Sequence, residues 1–250
     1  EDVLPSFTDI PMTGWINTDI HVQGTWEHPR VQGHVKAWDG SIYGKLFTSI
    51  EGPYTYNDGH LHIPRLDIST YGSSIIVDGT IQDKQLDINF VGDAVPIEPF
   101  IRDTGLNMVG YLGAEGHLGG TVDAPIFEGT VQSDTMRVKD STLHDIAGSV
   151  YVTPKVLHLQ GLTFTGTGAS RYEVKGGVQL EDEKRLFGYV RVRDGELKQL
   201  LALGNIKVPD VNGKLQANIE LGGTSANPRI DVKGSLEDVM IRDEVVGTAT

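Results

Sequence analysis

Apolar and polar residues alternate along most of this chain. In Leu215–Leu221 the apolar residues Leu215, Ala217, Ile219 and Leu221 interleave with Gln216, Asn218 and Glu220. Ile20 and Val22, Val150 and Val152, Leu157 and Leu159, and Ile75 and Val77 repeat the pattern. A period of two is that of a strand buried on one side and wet on the other. Glycine is abundant, at 31 residues, and Asp39-Gly40, Asp58-Gly59 and Asp194-Gly195 read as turns between strands. Two segments break the alternation. Ile97, Phe100 and Ile101, and again Leu197, Leu200 and Leu201, are spaced i, i+3, i+4. Each predicts one short amphipathic helix, the second with Asp194 as a candidate cap.

The pattern recurs at long range. Gly24 and Gly120 stand 96 residues apart, as do Pro29 and Pro125, Gly33 and Gly129, Leu61 and Leu157, and Leu66 and Leu162. The offset grows to 100 at Ile97/Leu197 and Phe100/Leu200, and to 103 at Gly120/Gly223. Such persistence marks an internal repeat, with insertions confined to connections. The expected organisation is one continuous β array over 1–250, with repeat one at 14–109, repeat two at 110–212 and a third beginning at 213–250. The thrice-repeated Gly-Thr-x-x-x-Pro at Gly24, Gly120 and Gly223 is expected to be a structural turn, with Pro ending the pairing before strands that start at Val31, Ile126 and Ile230.

Charge narrows the partners. The net charge of −13 and pI near 4.9 argue against nucleic acid and against general attraction to an anionic membrane. The chain has no Cys, which removes disulfides, thiolate catalysis and thiolate zinc sites. No apolar run reaches the roughly 18 residues of a membrane span.

Catalytic signals are weak. His60 and His62 share one strand face near Asp58, but the second repeat keeps only His158, so no metal site is expected. Gly166–Arg171 and Gly110–Gly120 are glycine-rich without the phosphate-loop pattern, and no nucleophile elbow is present. The chain is therefore expected to be non-enzymatic and to need no cofactor.

The stretches Gly14–Gly33, Gly110–Gly129 and Gly213–Gly234 carry a pattern of glycine, alternating apolar positions, Gly-Thr, Pro and an apolar strand. This pattern resembles the repeats of the TamB family, within the AsmA-like group of diderm envelope proteins. The resemblance implies an all-β fold: a long repeat-built sheet folded lengthwise into an open apolar groove, or β-taco. It implies a periplasmic body on an inner-membrane anchor, with an outer-membrane barrel of the TamA/BamA type as partner through other parts of the parent. It implies carriage of glycerophospholipids between the membranes along that groove. Residues expected to line it and touch acyl chains are Ile20, Val22, Val35, Leu61, Ile63, Ile75, Val77, Leu157, Leu159, Val174, Val178, Leu215, Ile219 and Leu221. The helix residues Ile97, Phe100, Ile101, Leu197, Leu200 and Leu201 are expected to lie against it. An acyl chain of roughly sixteen carbons costs on the order of 12 kcal/mol to expose to water, at about 0.8 kcal/mol per CH₂, so a dry wall suffices for carriage. The alternatives are a structural or chaperone-like spacer that helps outer-membrane proteins assemble, and a secreted β-solenoid adhesin. Tyr54 and Tyr56 become Val150 and Val152 in the second repeat, so no sugar-binding aromatic platform recurs.

Overall fold

The computed structural model describes residues 11–25, 27–102, 107–168, 170–180, 183–203, 211–241 and 244–249. Its first six strands are β1 (Met12–Gly24), β2 (Pro29–Ile42), β3 (Lys45–Asn57), β4 (His60–Thr70), β5 (Ser73–Gln82) and β6 (Gln85–Pro96). After α1 (Glu98–Ile101) come β7 (Met108–Thr121), β8 (Ala124–Val138), β9 (Ser141–Val152), β10 (Val156–Thr165), β11 (Arg171–Gln179) and β12 (Leu186–Glu196). Helix α2 (Leu197–Leu203) then precedes β13 (Val211–Gly223), β14 (Pro228–Ile241) and β15 (Glu244–Ala249). The fold is all-β. Strand order in the open sheet is simply chain order, β1 to β15. The chain forms two compact units, one of Glu1–Phe100 with Leu112–Phe127, the other of Ile101–Tyr111 with Glu128–Thr250.

In the first unit β1–β6 form an antiparallel meander. Four of its connections are two-residue turns with positive φ at both positions: Tyr43-Gly44, Asp58-Gly59, Tyr71-Gly72 and Asp83-Lys84. Such turns carry the twist that antiparallel strands need. Of the three Asp-Gly pairs expected to be turns, only Asp58-Gly59 is a hairpin turn. Asp39-Gly40 and Asp194-Gly195 sit inside β2 and β12, where Asp39 (φ 51°) and Asp194 (φ 50°) interrupt the regular register with β1 and with β13. An extra residue with positive φ bends a strand without ending it.

The Gly-Thr-x-x-x-Pro turn has the same construction three times. Gly24, Gly120 and Gly223 have φ of 93°, 75° and 75°, and a Cβ at any of them would collide with a carbonyl across the turn. The hydroxyls of Thr25, Thr121 and Thr224 accept from the backbone N–H groups of His28, Ala124 and Asn227 at 3.0–3.2 Å. The proline does not end the pairing as the sequence suggests. Pro29 and Pro228 pair with Gly24 and Gly223 as first residues of β2 and β14, a position where no N–H is missed.

The helices are shorter than their apolar spacing suggests. Pro99 lies within the four residues of α1, and Ile97 precedes it. Helix α2 starts at Leu197, so Asp194 lies too far upstream to cap it; its carboxylate instead accepts from Gln216 Nε2 at 2.8 Å.

Candidate functional site: the apolar face of the sheet

Residues paired directly across antiparallel strands point to the same side of the sheet. One row in the first unit therefore reads Val22–Val31–Tyr56–Leu61–Ile81–Leu86 across β1 to β6. The next register position along these strands reads Gln23–Arg30–Asn57–His60–Gln82–Gln85, on the other side. A second apolar row is Ile16–Ala37–Ile50–Ile68–Ile75–Gly92. One face of this meander is thus largely apolar and the other largely polar, with Trp15, Trp38, Ile76 and Val91 as apolar residues on the polar side.

The bulge at Pro64-Arg65 keeps the apolar face in phase, because Ile63 pairs with Gly79 while Leu66 pairs with Val77. Ile20 pairs with Gly33 and Val35 with Gly52, so both also lie on that face. Gly33 has no room for a Cβ because the Tyr54 ring lies over it, 2.6 Å from where that atom would be. The seven first-unit wall positions named from the sequence, Ile20, Val22, Val35, Leu61, Ile63, Ile75 and Val77, therefore share one side. None is fully buried, and Ile20 and Val22 are 56% and 62% exposed.

The second unit repeats the arrangement. Its rows are Val152–Leu157–Val178–Leu186, then Val150–Leu159–Gly176–Gly188–Leu221–Ile230, then Leu162–Val174–Val190–Ile219–Val232. Leu215 pairs with Leu236 on the same side. All seven second-unit positions, Leu157, Leu159, Val174, Val178, Leu215, Ile219 and Leu221, share that face. Leu215 and Ile219 differ from the rest in being buried, in a cluster with Tyr172, Val192 and Ala217.

Helix α2 explains that burial. Leu200 packs on the cluster, while Leu197 and Leu201 are half-buried. Gln199, 6% exposed, reaches from α2 toward the β10–β11 connection. Its Oε1 accepts from Thr167 N–H at 3.0 Å, Ser170 Oγ at 3.2 Å and Tyr172 OH at 3.3 Å. Burial pushes the Tyr172 phenol above its ordinary value, so it stays a neutral donor to Gln199. In the first unit, Phe100 of α1 meets Tyr71 edge to face at 5.8 Å, and Lys45 Nζ donates to the Pro99 carbonyl at 2.9 Å. Ile97 and Ile101 are half-buried.

The opposite face carries exposed ion pairs. Glu51 accepts from Lys36 at 3.2 Å and faces His34 at 3.4 Å, and these hydrogen bonds lower its pKa. Arg65 holds Asp67 at 2.7 Å and lowers its pKa likewise. Glu173 is lowered first by Lys175, then by the neighbouring arginines. Pairs this exposed add little stability but fix a wet surface. His60 and His62 pair with Gln82 and Thr80 on this wet side. Among the described residues no three His, Asp or Glu gather as metal ligands, and no helix is long and apolar enough to cross a membrane.

Sequence reasoning missed Tyr54, Tyr56 and Phe90 as members of the apolar face, although strict alternation through the intervening glycines would have included them. It also missed Gln199, whose burial no periodicity signals. Comparisons with protein-family models, curated proteins and solved structures returned no match.

Proposed function

We propose that this chain is a segment of a lipid-conducting surface, whose apolar face carries the acyl chains of glycerophospholipids along a groove. The observation that carries the reading is the largely one-sided register: apolar rows six strands wide in the first unit, half accessible, alternating with rows that are mostly polar. At about 4.8 Å per strand such a row spans about 24 Å. That exceeds the roughly 15 Å of hydrocarbon one leaflet contributes to a bilayer, so a single acyl chain fits within it. A surface without convergent polar groups lowers the cost of exposing the chain and does not trap it. Extended apolar patches of this kind mark interaction surfaces.

The TamB-like sequence pattern supports a periplasmic setting, an anchor in the inner membrane and an outer-membrane barrel partner, both supplied by other parts of a parent protein. In this reading the sheet curls lengthwise around the lipid, the chain is non-catalytic, and α2 sits over part of the wall. The test is Val77→Asp, which puts a carboxylate between Leu66 and Phe90 in a half-buried row. Phospholipid transit between membranes should stop while far-UV circular dichroism keeps its strand signal. Unimpaired transit would refute the reading and favour the structural spacer. Ile219 suits this test less well, because a charge there would break the buried cluster first.

A further inference from the structure

The wet face of β11–β14 holds an arrangement that an acyl-binding surface does not require. Arg171 and Arg193 are direct cross-strand partners. Their side chains therefore leave the same face of the sheet from neighbouring positions, and like charges directly opposite each other destabilise a sheet. Arg191 lies on the same face of β12, two residues before Arg193. In a chain with 34 acidic and 21 basic residues, acids are the commoner neighbours to recruit. The nearby acids offset this only in part: Glu173 attracts Arg193 at longer range and is hydrogen-bonded to other groups. Glu173 binds Lys175 at 2.9 Å and Arg191 at 3.1 Å, and Asp145 accepts from Thr165 Oγ1 at 3.0 Å. Arg171 and Arg193 have no ion pair or side-chain hydrogen bond among the described residues.

The three arginines line a hollow of about 240 Å³ together with Asp145, Thr165 and Glu173. A second hollow shares Arg191 and Arg193 and has Lys233 on its wall. Guanidinium groups present planar forks of donors that match the oxygens of a phosphate, often two at a time. An oxyanion between Arg171 and Arg193 would convert their repulsion into two attractions.

We propose that Arg171, Arg191 and Arg193 form a binding site for a phosphate group on the polar face of the second unit. The phosphate is either free or borne by a lipid headgroup. The site lies on the side of the sheet opposite the apolar rows, and the proposal does not rest on the lipid-conducting reading.

Isothermal titration of the 250-residue protein with inorganic phosphate, at ionic strength fixed with chloride, tests the proposal. The wild type should bind saturably. Arg171→Gln with Arg193→Gln should bind about tenfold more weakly or worse, the equivalent of losing a charge-assisted hydrogen bond. Arg229→Gln, remote and paired with Asp231, should bind like wild type. Without phosphate the double variant should melt no lower than wild type, because a repulsion has been removed. Absence of saturable binding, or equal binding by the double variant, would overturn the proposal. So would a double variant that melts lower without phosphate, which would make these arginines structural partners of Asp145 and Glu173. A short-chain phosphatidic acid below its micelle concentration separates the sources. Tighter binding than inorganic phosphate, with the same loss in the double variant, assigns a headgroup; equal affinity assigns the free ion. Val77→Asp should leave phosphate binding intact, so this site and the acyl-carrying face can fail separately.

Discussion

In β2–β3 the tightly buried cluster is Ala37, Phe47 and Ile50, whereas in β11–β13 it is Tyr172, Val192, Leu215, Ala217 and Ile219. Both regions follow the same alternation, so binary pattern does not set the difference. The position matching Gln199 at offset 100 is Pro99. Helix α1 is four residues long and is held through its Pro99 carbonyl. Glutamine gives α2 a buried acceptor that ties it to the β10–β11 connection, so Leu200 is pressed onto the sheet. Gln199 thus anchors the helix that partly roofs the second unit's apolar face, and Pro99 offers no such side chain.

The sharpest break in the comparison comes from truncation. Leu215→Ala should cost about 2–5 kcal/mol, as buried leucines do. Ile20→Ala, on an exposed position of the same face, should stay within about 0.5 kcal/mol. Denaturant midpoints followed by circular dichroism measure both. Next, Gln199→Leu strands the Thr167 N–H and the Tyr172 hydroxyl without their acceptor and should cost about 1–3 kcal/mol. Hydrogen exchange should quicken in β12 and β13. Tryptophan fluorescence should not change, because all three tryptophans fall within the first 38 residues.

A smaller effect tests what the two regions share. Alanine at Gly24 and at Gly223 should cost a similar amount, roughly 1–2 kcal/mol each, since both turns need positive φ. Thermal melts of the two variants check this; unequal losses would mean the turns are not equivalent. The smallest effect is in acid. Glu51 and Glu173 have folded pKa values below the ordinary glutamate value of 4.5. Each therefore contributes stability that is present above that value and lost as pH falls through the folded pKa. Glu51→Gln should flatten the acid slope of the tryptophan signal, and Glu173→Gln should leave that slope unchanged.

Much of the fold was legible in alternation. Every wall position named from the sequence shares the apolar side of its own unit, because a period of two fixes the face once the strand is fixed. Bulges were not legible: Asp39-Gly40 and Asp194-Gly195 have turn chemistry, and only the flanking pairing shows that the strand continues. The tight turn at Tyr71-Gly72 was hidden for the converse reason, tyrosine being a poor turn signal. The Arg171–Arg193 juxtaposition was invisible because 22 residues separate the two, and the register brings them together. Gln199 reads as an ordinary polar residue until its three donors are placed around it.

The most direct measurement is photo-crosslinking from Ile75 and Val77 on the accessible apolar face, with Asp78 and Thr80 as controls, in cells labelled with radioactive phosphate. Asp78 and Thr80 pair with Asn89 and Asp87 in polar rows. Phospholipid adducts at positions 75 and 77, well above those at 78 and 80, are the predicted result. Adducts absent from all four, or equal at all four, would contradict a lipid-carrying face.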